Sequence, residues 1–236
     1  MLKLNVPGDG SKMLLHSCCA PCSGAVLECL LANGIRPVVF FSNSNITPFS
    51  EYELRRNELA RYCKSLGVTM VDDEYDHDAW RGFVLAINDE TSDGFRGELG
   101  DNGRSRAQEL AAAPERGERC LRCFKFRLRR AAAYAAAHDI PVFTTTLASS
   151  RWKSLEQVAE AGDWAAKETC SAHENVAPRP LGVQGDNSVV PEEHNVLFWN
   201  QNWRRGGLQE RRSQIICEQG FYNQNWCGCE FSHRNV

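Results

Sequence analysis

Three cysteine groups carry the chemistry this chain can do. Cys18, Cys19 and Cys22 lie in MLLHSCCAPCSG, Cys120 and Cys123 form a CxxC in ERCLRC, and Cys227 and Cys229 flank a glycine in WCGCEFSHRNV. The thiolate is the nucleophile and soft-metal ligand among side chains. A CxxC at a helix start places both sulfurs on one face, because residues i and i+3 are neighbours there. Consecutive cysteines on an extended chain point to opposite sides, so Cys18 and Cys19 share a site only where the backbone turns sharply. Four thiolates bind either a tetrahedral zinc or an iron–sulfur cluster, and spacing does not separate these. Cys-Gly-Cys is too tight for most structural zinc knuckles, but it can close a small, strained, reducible disulfide. Cys29, Cys63, Cys170 and Cys217 lack such partners and read as ordinary packed residues.

The elements that must position these thiols follow from the apolar pattern. Met13 to Leu15 form a buried strand, and Pro21 suits the first turn of the helix that Val26, Leu27, Leu30 and Leu31 continue to a stop at Gly34. The first group therefore sits where a strand ends and a helix begins, the edge at which open α/β sheets bind ligands and where the helix dipole favours thiolate. Val38 to Ser42 is a second strand and Asn43 to Phe49 a loop at the same edge. Ser50 and Glu53 match a capping box for a helix to Leu66, and Val68 to Val71 is a third strand. Residues 88–119, rich in glycine and charge, read as a surface insertion or mobile loop with a brief helix at Ala107 to Ala113. A firm helix follows from Cys120 to His138, then a strand at Pro141 to Thr146. A helix capped by Ser154 and Gln157 runs to about Lys167, Asn175 to Asn195 is irregular, and a last helix covers Leu208 to Gln219. Residues 1–11 read as a loose leader. The alternation predicts one α/β domain over 1–236: a mainly parallel, Rossmann-like sheet with helices on both faces and a C-terminal cysteine segment closing over the site.

The totals agree with this plan. A 236-residue chain that is 42% hydrophobic can bury a core without disulfides, and its 11 cysteines cannot all pair internally. The opening MLKLNVPGDGSK lacks the apolar core of a signal peptide, and no apolar run approaches the roughly 20 residues that span a bilayer. A cytoplasmic protein with reduced thiols and no membrane partner is expected. A formal charge of −3 leaves room only for a local basic face.

Six ordered blocks, LLHSCCAPCSG, FSNSNITPFSEYELRRNE, PERGERCLRCFKFRL, FTTTLASSRWKS, NWRRGGLQERR and FYNQNWCGC, resemble the QueH-type epoxyqueuosine reductases. The resemblance implies an adenine-nucleotide-hydrolase-like α/β fold and reduction of epoxyqueuosine to queuosine in the anticodon loop of tRNA. It further implies a 4Fe-4S cluster on Cys18, Cys19, Cys120 and Cys123, with Cys227 and Cys229 as a redox-active or second-metal pair. Some members carry Asp where this chain has Cys22, and Trp226 stands for the commoner Tyr. A second mononuclear metal, iron or zinc, held by Cys227, Cys229 and Cys22 would polarise the epoxide oxygen; alternatively the pair cycles between dithiol and disulfide. Neither a flavin nor a nicotinamide motif is visible, so a small carrier protein is the expected electron donor.

Substrate contacts are expected from Asn45, Tyr52 and Arg55 near the sheet edge, from Lys153 and the hydroxyls of Thr144 to Thr146, and from Trp203 beside Arg204. Arginines from Arg116 to Arg130 and from Arg204 to Arg212 could meet RNA phosphate, the plainer alternative being a solvated helix face. His16 reads as packed rather than catalytic. The rival from another class is a non-enzymatic zinc-binding RNA-binding protein. A nucleotide-using sulfur transferase of related fold fails on its phosphate loop, since CSGAVLEC has neither the second glycine nor the aspartate.

Overall fold

The computed structural model describes residues 2–8, 12–86, 105–174 and 196–232. Its centre is a five-stranded, all-parallel sheet of order β3-β2-β1-β4-β5, with β1 Met13–His16, β2 Val38–Phe41, β3 Met70–Asp72, β4 Val142–Thr145 and β5 Leu197–Phe198. All four residues of β1 and of β4 are buried, as expected of strands covered on both faces. Helices α1 (Ala20–Ala32), α2 (Phe49–Ser65), α3 (His77–Val84), α4 (Arg106–Ala112), α5 (Glu118–Ala137), α6 (Leu155–Glu174) and α7 (Leu208–Gln219) complete the fold. One helical group joins α1 to α2 and α7; the other joins α5 to α3, α4 and α6. The chain leaves β1 toward β2 and later returns to place β4 on β1's other side. The strand order thus reverses between β1 and β4, which makes their carboxyl ends the topological switch point.

Close packing explains two glycines. A Cβ on Gly24 of α1 would lie 3.1 Å from Ile215 of α7, and one on Gly162 of α6 would lie 2.2 Å from the Phe198 ring of β5. The two-residue strand β5 docks because α6 offers it bare backbone at that point.

Several expectations need correction. Residues 2–6 are no loose leader: Leu2, Leu4 and Val6 pack on the core, and Asn33 bonds the Leu4 N–H and the Leu2 carbonyl. Helix α2 starts at Phe49 with Pro48 as its N-cap and no side-chain cap, so the Ser50–Glu53 box is not used. The brief helix in the insertion is α4, whose capping box is formed by Ser105 and Gln108. Residues 88–104 and Asn175 to Asn195 lie outside the described residues. Ser154 caps α6 as expected, accepting from the Gln157 N–H at 3.2 Å, and α6 runs on to Glu174. Helix α3 and strand β5 are additions, both too short to show a convincing period. Among the described residues no helix is long and apolar enough to cross a membrane.

Candidate active site

The first thiol group is local. Cys19 is the N-cap of α1 in extended conformation, and the chain turns there from β1 into the helix. The turn brings the consecutive sulfurs of Cys18 and Cys19 to 3.8 Å, and Cys22 follows one helical turn later. Sulfurs of Cys18, Cys19 and Cys22 all lie within 4.8 Å of one another, the one such group of three metal-ligating side chains among the described residues. Cys18 is held well below the ordinary thiol range by bonds from Cys19 and Cys22, against burial. Its partners move the other way: the bond to Cys18 pushes Cys22 up to about 12 and Cys19 well above its ordinary value. The Cys18 N–H is anchored 3.2 Å from the Thr146 hydroxyl, directly after β4.

The second group is assembled from distant parts of the chain. Cys120 and Cys123, on the first turns of α5, line a small cavity, with room for about one water, together with Cys227, Cys229, Lys153 and Trp80. Lys153 places Nζ 2.7 Å from the Cys227 sulfur. Cys227 lies well below the usual thiol range, first because the Cys229 thiol donates to it and then, against burial, because of the Lys153 charge. Burial opposes charge on Lys153 too, but the Cys227 sulfur outweighs it and holds the ammonium above its ordinary value. Burial raises both Cys120 and Cys123, each of which accepts one hydrogen bond at 3.3 Å, from the Arg116 N–H and the Trp80 indole N–H respectively.

The C-terminal cysteines reach this cavity because α2 and its preceding loop grip them. Arg55, 4% exposed, donates from Nη1 to the Cys227 carbonyl at 3.1 Å while Glu51 binds its other nitrogens. The Gly228 carbonyl accepts from the Thr47 N–H at 2.9 Å. Gly228 has φ +101°, and a Cβ there would press at 3.1 Å on both Arg55 and Ile46. The glycine of Cys-Gly-Cys is therefore required by backbone and by space.

One cation links the two groups. Arg127 of α5 is 2% exposed and donates to the Ser42 carbonyl at 3.2 Å and to Asn43 Oδ1. Both acceptors are neutral. Its charge contributes to lowering Cys18, Cys123 and Cys227. A buried guanidinium whose charge acts on thiols of both groups suits an anionic centre. Three converging sulfurs, one of them a thiolate, fit a thiophilic metal or the iron of a cluster.

The structure places the remaining predicted residues as follows. Asn45 is buried with its Oδ1 unpartnered at the sheet edge. Tyr52 is 6% exposed, stacked on Phe49 and packed at a tilt against Phe41 and Tyr75. Trp203 is fully buried edge-on against Trp199; the expectation that it offers a stacking face is corrected, because its apolar surface is already spent in the core. Arg204 binds the carbonyls of Ser150 and Lys153, so it braces the loop that carries Lys153. The hydroxyls of Thr144, Thr145 and Thr146 are engaged by Trp199, His16 and Cys18, and the expectation that all three face substrate is corrected. His16 is buried and packed: burial first, then Arg127, pushes it down to about 3, and it bonds Thr145 at 2.7 Å and Ser42 at 3.1 Å. The basic face expected from Arg122 to Arg130 is also corrected. Arg127 is buried, Arg122 binds the Phe83 carbonyl, Lys125 pairs with Glu160 and Arg130 with Asp73. Cys29 and Cys63 are packed as expected, whereas Cys217 is exposed. Trp80 was not foreseen; its sequence neighbours gave no sign that α3 packs on α5.

Taken together, a doubly wound parallel sheet with two thiol groups and a lysine–thiolate contact at its switch point defines a cysteine-based metal or redox enzyme of the α/β class. A family model described as Epoxyqueuosine reductase QueH matches residues 13–100, 101–177 and 183–235, and the chain belongs to that family of enzymes. It is 35% identical over 233 residues to epoxyqueuosine reductase QueH of Haemophilus influenzae, spanning 99% of this chain and 76% of that protein. It is also 35% identical over 235 residues to the Acinetobacter baylyi enzyme of the same name, across 100% and 86% of the two chains. Against that of Thermotoga maritima the identity is 27% over 220 residues, across 93% and 89%.

Proposed function

We propose that this chain reduces epoxyqueuosine to queuosine in the anticodon loop of tRNA, in the cytoplasm, with electrons delivered by a small carrier protein. Family membership supports the reaction. The observation that carries the site assignment is Lys153 2.7 Å from the Cys227 sulfur, with the charge of buried Arg127 acting on thiols of both groups.

Cys18, Cys19, Cys120 and Cys123 are the proposed holders of a 4Fe-4S cluster, with Cys22 beside the first two. Cys22, rather than Cys120 or Cys123, lies within 4.8 Å of both Cys18 and Cys19, so Cys22 is a further candidate ligand. Such a cluster supplies single electrons when bound. In the alternative to the disulfide, Cys227 and Cys229 would hold a mononuclear iron or zinc supplying Lewis-acid polarisation of the epoxide oxygen; Cys22, its expected third ligand, lies with Cys18 and Cys19.

The chain's own groups account for the proton and electron balance. Loss of the epoxide oxygen as water takes two electrons and two protons and leaves an alkene. With Cys227 as the thiolate, its closing with the Cys229 thiol to a disulfide releases two electrons and the one Cys229 proton, and the Lys153 ammonium supplies the second proton. The carrier's electrons then restore the dithiol. Cys227 is the nucleophilic member, because Cys229 and Lys153 favour its thiolate, and Cys229 retains its proton. Lys153 holds a proton at the cavity wall, where it can pass to the departing oxygen. Asn45, with a free buried acceptor, is the proposed contact for a substrate hydroxyl or ring N–H, and Tyr52, Arg55 and Arg204 act by holding the walls.

Replacing Cys227 or Cys229 by Ser should leave the cluster's visible absorbance in place and abolish turnover of epoxyqueuosine tRNA. Full activity in both variants would refute the disulfide and the second-metal proposals together. A colourless, zinc-containing protein after anaerobic purification would refute the 4Fe-4S assignment.

A further inference from the structure

The largest exposed ring among the described residues stands beside the site and has no part in the chemistry above. Trp152 is 74% exposed, far more than any other large apolar side chain among the described residues. It lies between exposed Arg151 and the site lysine, Lys153. The loop bearing it is nonetheless stapled. Arg116 donates to the carbonyls of Arg151 at 3.1 Å and Trp152 at 3.0 Å, and Arg204 donates to those of Ser150 and Lys153. Four successive carbonyls are thus bound by two guanidinium groups.

Arg116 is itself held in an unusual state. Its φ is +65°, sparsely populated for a side chain of this size, and its N–H binds the Cys120 sulfur. Gln157 accepts this turn into α6 by donating to the Arg116 carbonyl at 2.8 Å. The same strained residue therefore fixes Trp152 relative to the second thiol group. A fold that rigidly positions an unpacked indole is not covering a core with it. Carbonyl acceptors leave the charges of Arg116 and Arg204 in place, and Glu156 is the acidic group acting on Arg204. A flat ring amid cations, on a chain whose formal charge is −3, matches a base and its phosphates.

We propose that Trp152 is a stacking platform for an unpaired base of the tRNA anticodon loop, beside the modified nucleotide, with Arg116 and Arg151 facing the adjoining phosphates. It rests on the reading that the chain acts on tRNA. The role is positioning: the ring holds the loop so that the modified base is presented at the thiol-lined wall. Trp203, which the sequence favoured for stacking, is buried, and Trp152 takes its place.

The test measures two things on the full chain, with Trp152→Ala and Trp152→Phe beside the wild type. Binding of an unmodified anticodon stem–loop RNA is followed by fluorescence anisotropy, and turnover is followed on epoxyqueuosine tRNA. Loss of one stacked base should weaken RNA binding about tenfold in Trp152→Ala, with most of that loss restored in Trp152→Phe. KM for the tRNA should rise by a similar factor while kcat changes less than about twofold. Unchanged RNA affinity in Trp152→Ala overturns the proposal. So does a defect confined to reduction by a protein electron donor, which would make the ring a docking point for that protein. A wild type that binds the stem–loop through Trp152 but reduces no epoxyqueuosine tRNA would sink the reductase reading and leave the stacking role supported.

Discussion

The two thiol groups reach the same sheet edge by different routes. Cys18, Cys19 and Cys22 are gathered by a single strand-to-helix junction, and their geometry is set almost as soon as β1 and α1 form. Cys120, Cys123, Cys227 and Cys229 meet only when α5 and the C-terminal segment are both docked, and Lys153 joins them from a third part of the chain. The first group depends on local backbone; the second depends on Arg55, Gly228 and Thr47 far away in sequence. A local group is robust and suits permanent ligation. An assembled group can be loosened without unfolding the sheet, which suits a pair that must open to substrate and to reductant.

The broadest way to break the contrast is to remove what the groups share. Arg127→Gln should disturb both at once, costing about 3 kcal/mol of stability in urea unfolding, since a buried cation and its bonds to Ser42 and Asn43 are lost. If only one group responded, judged by zinc affinity and by thiol labelling, the two would not share a centre. Gly228→Ala comes next. Strain at φ +101° and contact with Arg55 should cost about 1–3 kcal/mol and abolish turnover, while Cys18, Cys19 and Cys22 keep their affinity for zinc. Equal loss of zinc binding would erase the distinction between local and assembled.

Smaller effects sharpen it. Gly162→Ala should destabilise the sheet edge by about 1–3 kcal/mol through the Phe198 ring, without selective loss at either group. Trp80→Phe keeps the ring and removes the N–H bond to Cys123, at a stability cost of about 1 kcal/mol. Its distinctive effect should be a lower reduction potential of the reconstituted centre, because hydrogen bonds to sulfur stabilise the reduced state. An unchanged potential would place Cys123 outside the redox centre.

The same contrast explains what could be read in advance. Strands β1, β2 and β4, helix α1 and the whole of α7 follow from apolar periodicity and from Pro and Gly stops, all of them local signals. The first thiol group was legible for that reason. Spacing named Cys120, Cys123, Cys227 and Cys229 as chemically suited, but could not show that α5 and the tail meet, because that contact is set by packing between distant segments. Charge misled most. Arg127 looks in sequence like one of several solvated arginines, yet it is buried and bound to Ser42 and Asn43. Trp203 and Trp152 are reversed for a related reason: composition near a tryptophan does not report whether a neighbouring helix covers it.

The most direct measurement reconstitutes the chain anaerobically with iron and sulfide and compares iron content and visible absorbance across two double variants, Cys18→Ser/Cys19→Ser and Cys120→Ser/Cys123→Ser. If the two groups form one centre, both variants lose the cluster. Full iron and absorbance in the Cys120→Ser/Cys123→Ser protein would mean that Cys18, Cys19 and Cys22 hold their metal alone, and the shared centre would be contradicted.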